Sequence, residues 1–138
     1  MSSRIKINVP VIRIDSFKRA VAKMEMKTDM NSLRRLLRAG RHDEIGQEKF
    51  AEIPGGEVWL FARMGQLPGQ PGFRLRGMVE PTTGIAVIAV KSAVGKTAGA
   101  LTCAELDMDW IKRELVWVDI CEGGKNIIVP PAAGSKSE

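Results

Sequence analysis

The string from Val90 to Thr97 contains the residue types of a phosphate-binding loop. It ends in Gly95-Lys96-Thr97 after a hydrophobic stretch, as does the P-loop that holds phosphates with backbone N–H groups and a lysine. That loop also needs a glycine five residues before Gly95, where this chain has Val90. The string therefore favours a basic loop after a strand over a nucleotide-hydrolysing site, and it leaves phosphate binding by this loop open.

Arginine and lysine residues recur at spacings that place several of them together. Arg74 and Arg76 are two residues apart and would share one face of a predicted strand. Arg63 lies on a neighbouring predicted strand, and Lys91 and Lys96 follow the next one. The other candidates point outward from a predicted helix. Because grouped cations repel one another, a bound phosphate chain would stabilise them; the alternative is that they are dispersed and solvated. The candidate nucleic-acid-binding residues are Arg34, Arg35, Arg38, Arg63, Arg74, Arg76, Lys91 and Lys96.

Other chemistries find less support. His42 is the only histidine, and no serine or cysteine that could serve as a nucleophile lies near it in the sequence. No catalytic triad is therefore predicted. Asp107 and Asp109 are two apart, which puts them on different faces of a helix. Cys103 and Cys121 lie in apolar stretches and are expected to be buried thiols. A structural zinc ion usually takes four Cys or His ligands, so we expect no metal and no cofactor.

The aromatic content argues against base stacking. Tyrosine is absent, and the chain has three Trp and four Phe, at spacings typical of core positions. If this protein binds nucleic acid, charge and arginine hydrogen bonds are expected to do most of the binding.

Composition and charge indicate one small basic domain. The chain has 138 residues, 44% hydrophobic, and a net charge of +5, which suits a single domain. Residues 1–50 carry twelve Lys or Arg against six Asp or Glu, whereas residues 101–138 carry four against seven. A basic end favours a polyanionic partner, either nucleic acid or an acidic protein surface. The N-terminus lacks a secretory apolar core and no apolar run is long enough to span a bilayer, so we expect a cytoplasmic protein without a membrane partner.

The hydrophobic periodicity predicts an α+β domain over residues 1–129 and a flexible tail over residues 130–138. Pro10 interrupts the first strand and predicts a bulge or an edge position. Two helices, the first capped by Asp15 or Ser16 and the second ended by Gly40, predict a basic helical hairpin packed on a mainly antiparallel sheet. Strands are predicted at 4–9, 57–63, 73–79, 85–90, 115–120 and 126–129, helices at about 16–27, 30–39 and 102–114, and polar loops at 41–56 and 65–72.

The order of these elements is similar to that of a known family. A strand and a helical hairpin are followed by Gly56–Arg63 with its tryptophan, by Gly72–Arg76, by the apolar run Ile85–Val90, and by Lys91 and the Gly95-Lys96-Thr97 segment. Over about residues 4–114 this resembles the RelE/ParE/HigB-like toxin superfamily. The resemblance implies a small basic protein that cleaves ribosome-bound mRNA or poisons another host target, with an acidic antitoxin as partner.

The resemblance also implies a mechanism. RNA cleavage in such folds needs no metal, only an acid, a base and cations on the developing phosphorane charge. Residue matching assigns those cations to Arg63, Arg74, Arg76, Lys91 and Lys96. The implied enzyme is a metal-independent endoribonuclease, and whether this chain is an enzyme is left open.

Three hypotheses therefore remain open. The first is a RelE-like RNA-directed module that acts as a ribonuclease toxin. The second is a non-enzymatic nucleic-acid-binding protein that contacts phosphates through Arg34, Arg35 and Arg38. The third is a protein-binding adaptor or inhibitor, for instance encoded by a phage or other mobile element. A homodimer is compatible with each of them.

Overall fold

The described residues form two antiparallel sheets and two short helices, which confirms the α+β class. The computed structural model describes residues 8–54, 56–64, 69–78, 81–93, 99–102, 106–120 and 126–128. The elements are β1 (Asn8–Asp15), β2 (Ala20–Lys27), α1 (Met30–Leu37), β3 (Ile45–Ile53), β4 (Gly56–Arg63), β5 (Pro71–Leu75), β6 (Thr82–Thr83), β7 (Ile85–Ser92), α2 (Met108–Glu114), β8 (Leu115–Ile120) and β9 (Asn126–Ile128). The predicted tail at 130–138 and the first residues of the predicted strand at 4–9 lie outside the described residues.

The first sheet has five strands and is covered on both faces. Its order is β2-β1-β7-β4-β3, and the second sheet has the order β6-β5-β8-β9. One face of the first sheet packs against α1 through Leu33 and Leu37. The other face packs against the second sheet and α2, through Phe73, Leu75 and Ile111. The prediction that Ile85–Val90 is a central strand is confirmed, since all six residues are buried.

The predicted helical hairpin is wrong, because its first helix is a strand. Residues 20–27 pair with β1 along their whole length. The Asp15 carboxylate does accept hydrogen bonds from N–H groups, as predicted for a cap, but from Phe17 and Lys18 in a tight turn. Residues 22–27 alternate between apolar and polar side chains, which is typical of a strand, although the same segment also fits a helical period. Pairing with the neighbouring β1 makes the strand the more stable of the two structures.

Pro10 causes no bulge, but it does lie at a local edge, where β1 pairs with β2 and not with β7. β1 lies between β2 and β7, and its register with β2 is unbroken. β7 pairs with β1 only from Ile12 onward, so Pro10 lies where its missing N–H costs no bond to β7. The change of apolar parity has another cause: Val9 and Val11 face α1, whereas Ile12 and Ile14 face the second sheet.

The predicted loop at 41–56 is also largely wrong, since residues 45–53 form β3. This strand is the outer strand of the first sheet, so its side chains are half-buried or exposed. A bulge between Lys49 and Ala51 allows Phe50 to pack against Trp110 of α2, with ring centroids 5.2 Å apart. An edge strand of polar residues gives little hydrophobic signal, which is why the sequence pattern missed it.

Both helices have ends that differ from those predicted. α1 begins after Asp29, whose side chain accepts a hydrogen bond from Ser32 N–H at 2.7 Å, and it ends at Arg38, not at Gly40. α2 begins after Asp107 instead of Thr102; the predicted capping partner, Glu105, lies outside the described residues. The predictions of β4 and β8 are confirmed to within one residue.

Candidate anion-binding end of the first sheet

Five strands have an end at one side of the first sheet, and the segments next to those ends carry a concentration of positive charge. β1 and β4 end there and β2, β3 and β7 begin there, because all of these strands are antiparallel to their neighbours. α1 runs back to the same end, since it joins the far end of β2 to the start of β3. Three segments at this end, residues 15–19, residues 34–44 and the last residues of β4, carry seven cations that form what we name the basic end: Lys18, Arg19, Arg34, Arg35, Arg38, Arg41 and Arg63.

Acidic side chains offset only part of this charge. The acids of the same segments are Asp15, Asp43 and Glu44. Asp15 is 5% exposed and binds the backbone of its own turn. The basic end therefore has an excess of cations at the surface.

The loop after α1 is held by Arg34. Its Nη1 donates to the carbonyl oxygens of Gly40 at 2.6 Å and Asp43 at 2.8 Å. The Asp43 carboxylate in turn accepts a hydrogen bond from Gly40 N–H at 2.7 Å. These bonds position Asp43 beside Arg63, with 3.8 Å between Arg63 Nη1 and Asp43 Oδ2. Arg34 thus has a structural role, whereas Arg35 and Arg41 are exposed.

Arg38 ends α1 in a left-handed conformation. Its φ is 54°, a conformation that costs a residue with a side chain about 1–2 kcal/mol. In this conformation Arg38 N–H binds the Arg35 carbonyl and Ala39 N–H binds the Arg34 carbonyl, which satisfies the last turn. Arg38 lines a small pocket together with Arg63.

Phe17 lies at the same pocket and is the aromatic residue that the sequence pattern misplaced. Helical periodicity assigned it to the core, yet it is 56% exposed. Its ring lies near Gly84, where an added Cβ would be 3.7 Å from Phe17 Cε2. The sequence signal for this exposure was Asp15, because an aspartate that accepts hydrogen bonds from the N–H groups of the next residues favours a tight turn. A residue at the tip of such a turn is exposed.

Arg74 and Arg76 lie elsewhere. Phe73 and Leu75 face the core from β5, so Arg74 between them is on the outer face of the second sheet. Arg76 follows β5 and is exposed, with its N–H bound to the Glu114 carbonyl at 2.9 Å. These two cations therefore do not share a face with Arg63, which lies on the α1 side of the first sheet.

Lys91 lies at the opposite end of the first sheet from Arg63. It pairs with Glu57, and Glu57 is six residues from Arg63 along β4, so roughly 20 Å separates the two positions. Its Nζ is 4.0 Å from the centre of the Trp59 ring and donates to Gln47 Oε1 at 2.6 Å. A cation–π contact of this kind is worth about 0.5–1 kcal/mol near the surface. Lys96, with the Gly95-Lys96-Thr97 segment, lies outside the described residues.

A charge network surrounds Trp59. Glu57 Oε1 accepts a hydrogen bond from Trp59 Nε1 at 3.0 Å, and this bond, followed by the nearby Lys49 ammonium, lowers the pKa of Glu57. The hydrogen bond from Lys49 to Glu52 raises the pKa of Lys49. These residues pair with one another, so this part of the sheet does not add to the basic end.

The remaining candidates do not form a second site. His42 is exposed in the loop after α1, and Asp107 is the α2 cap while Asp109 is exposed beside it. Among the residues that the structure describes, no group of three His, Cys, Asp or Glu side chains is arranged to hold a metal. Cys103 and Cys121 fall outside that part of the chain.

Within the described ranges, no helix has the length and apolarity required to cross a membrane. Comparison of the chain with protein-family models, curated proteins and solved structures finds no match. The resemblance to the RelE/ParE/HigB-like superfamily therefore stays a prediction, and the functional interpretation depends on the geometry of the basic end.

Proposed function

We propose that this protein binds nucleic acid through the basic end, without the catalytic arrangement that the toxin resemblance implies. The observation that carries the proposal is that the turn after β1, the end of α1 with its loop, and the end of β4 bring seven cations against three acids to one end of the first sheet. Cations held together in this way repel one another, and a phosphate backbone that neutralises them releases its counterions, which drives binding.

The kind of cation favours phosphate. Six of the seven members of the basic end are arginine, and a guanidinium donates two parallel hydrogen bonds to a phosphate, whereas a lysine acts as a point charge. Exposed Arg35 and Arg41 have room for such contacts. An acidic protein surface offers the same charge and is the alternative that the experiment below must separate.

The cations assigned to catalysis by residue matching do not support a single ribonuclease site. Arg63 belongs to the basic end, Arg74 lies on the outer face of the second sheet, Arg76 follows β5, and the backbone of Lys91 lies at the far end of the first sheet. Stabilising one phosphorane needs donors within hydrogen-bond distance of the same oxygens. The proposal is therefore one of binding, with Arg74, Arg76 and Lys91 outside the contact surface.

Fluorescence anisotropy with a labelled mixed-sequence 20-mer, single-stranded and duplex, tests the proposal. We expect log Kd to rise linearly with log salt concentration, with a slope of about 3 to 5 if four to six phosphates are neutralised. The variant Arg35→Glu/Arg41→Glu changes two exposed cations of the basic end that lie outside the pocket. It is expected to weaken binding at low salt by at least tenfold and to reduce the slope.

Two matched variants carry the same change of charge on other surfaces. Lys112→Glu/Arg113→Glu alters exposed residues of α2, and Arg74→Glu/Arg76→Glu alters one residue on the outer face of the second sheet and one in the turn after β5. Both are expected to weaken binding much less than the basic-end variant. Equal losses in all three variants would show a non-specific response to net charge and contradict the proposal. So would the absence of binding at low salt, or binding to an acidic polypeptide that matches binding to the 20-mer.

A further inference from the structure

The pocket within the basic end has the size of a single small anion. Its volume is about 90 Å³, which is room for several water molecules. Pockets that hold a drug-sized ligand begin at about 300 Å³, so a whole nucleotide does not fit, whereas one phosphate group does. Its lining residues are Phe17, Leu37, Arg38, Arg63, Gln70, Thr83, Gly84 and Ile85.

Two arginines line this pocket from different elements. Arg38 comes from the end of α1 and Arg63 from the end of β4. The left-handed backbone of Arg38 sets the direction in which its side chain leaves the chain, and Asp43 lies beside the Nη1 atom of Arg63. Gln70 and Thr83 add an amide and a hydroxyl to the lining. Two converging arginines with further donors are the donor set that a phosphate group takes.

An exposed aromatic ring stands at the edge of the same pocket. Phe17 lines it and is 56% exposed, although burying a phenylalanine would stabilise the fold by about 1.5–3 kcal/mol. A nucleobase stacks on such a ring with little regard to sequence. The spacing between a phosphate and its neighbouring base suits a pocket that has cations inside and a ring at its edge.

We propose that this pocket binds one phosphate of an unpaired nucleotide strand while an adjacent base stacks on Phe17. This inference rests on the proposed function and names its substrate class: single-stranded nucleic acid. Bases of a duplex are stacked on one another and do not reach Phe17, so a duplex contacts the basic end through phosphates alone. The chain is therefore expected to bind a single strand more tightly than a duplex of the same length at equal salt.

Two arginines in left-handed conformations provide a matched pair of variants. Arg19 and Arg38 have φ values of 51° and 54°, so glycine is tolerated at both positions. Both belong to the basic end, and Arg38 lines the pocket whereas Arg19 does not. Arg38→Gly is expected to weaken binding of a single-stranded 12-mer at least tenfold more than Arg19→Gly, because it removes charged hydrogen bonds as well as one charge.

A second pair tests the aromatic ring. Phe17→Leu keeps an exposed apolar side chain and removes the aromatic face, and Met30→Leu changes another exposed apolar residue at the start of α1, away from the basic end. Phe17→Leu is expected to weaken single-strand binding roughly five- to a hundredfold and to leave duplex binding unchanged. Met30→Leu is expected to change neither.

The outcomes separate failure of the pocket from failure of the proposed function. Equal losses for Arg19→Gly and Arg38→Gly, with no effect of Phe17→Leu, would overturn the pocket and leave binding by the basic end intact. Both proposals would be overturned if the protein does not bind the single strand at low salt. They would also be overturned if it binds and none of these variants changes its affinity. Tighter binding of the duplex than of the single strand would overturn the assignment to unpaired strands. Circular dichroism and thermal unfolding of each variant confirm that the fold is retained.

Discussion

Arg63 Nη1 lies 3.8 Å from Asp43 Oδ2, and both side chains are 43% exposed. Asp43 is held in this place because its carboxylate accepts the Gly40 N–H and its carbonyl accepts Arg34. The carboxylate therefore reduces the positive potential at the pocket that Arg63 lines. An exposed pair of this kind contributes at most about 1 kcal/mol, so its main effect is on ligand affinity.

Asp43→Asn is expected to raise the affinity for nucleic acid, roughly two- to fivefold at low salt. The asparagine side-chain oxygen still accepts the Gly40 N–H, while the negative charge beside Arg63 is lost. Anisotropy titrations measure the effect. Asp109→Asn, which makes the same change on α2, is the control and is expected to have a smaller effect; a loss of affinity in Asp43→Asn would contradict the interpretation.

A hydrogen bond from Arg13 of β1 links the end of α1 to the first sheet. Its Nε donates a hydrogen bond of 2.9 Å to the Leu36 carbonyl, one of the carbonyls that the end of a helix leaves without an internal partner. Arg13→Met is expected to lower the free energy of unfolding by about 1–2 kcal/mol, measured by urea denaturation. Arg35→Met, the same substitution at an exposed position, is expected to change it by less than about 0.5 kcal/mol. Equal effects of the two would show that the bond contributes nothing.

Gly72 is required where β5 passes close to its neighbour β6. A Cβ at this position would lie 2.5 Å from the Thr82 carbonyl oxygen, and this is backbone that cannot rotate away. Gly72→Ala is expected to lower the free energy of unfolding by about 1–3 kcal/mol. At Gly40 an added Cβ meets nothing closer than 3.4 Å, so Gly40→Ala is expected to stay within about 0.5 kcal/mol of the wild type. If Gly72→Ala unfolds at the same urea concentration as the wild type, the close approach is absent in solution.

The pKa of Glu57 is below its ordinary value of 4.5, chiefly because its carboxylate accepts the Trp59 indole N–H. For a carboxyl group whose pKa is lowered on folding, the stabilisation is present above pH 4.5 and is lost as the pH falls through the folded-state pKa. The Trp59 indole N–H resonance is therefore expected to titrate with a midpoint below 4.5.

The variant Glu57→Gln removes this titration and serves as the control for the indole assignment. Trp110 and Trp117 provide internal references, because the Glu57 bond is made by Trp59. A midpoint at or above 4.5 would mean that the hydrogen bond from Trp59 does not favour the ionised carboxylate of Glu57, and it would contradict this prediction.

Where the pattern of a strand is continuous and local, the sequence was enough to predict it. The apolar run Ile85–Val90 predicted a strand buried on both faces, and residues 115–120 predicted β8. Residues 20–27 carry both a helical pattern and a period-two alternation, and only the neighbouring β1 makes the strand the better choice. The polar edge strand β3 had too little apolar character to be seen.

The sequence by itself determined that this is a basic α+β domain with an excess of positive charge among its first fifty residues. Composition and periodicity are local properties, so they can be read without knowing which residues meet. Only the tertiary structure decided which cations meet. It brought Arg38 and Arg63 to one pocket with Phe17 and separated them from Arg74 and Lys91, because strand order and register place residues that are far apart in the chain. Charge could be counted in the sequence, but its convergence depends on non-local pairing between strands.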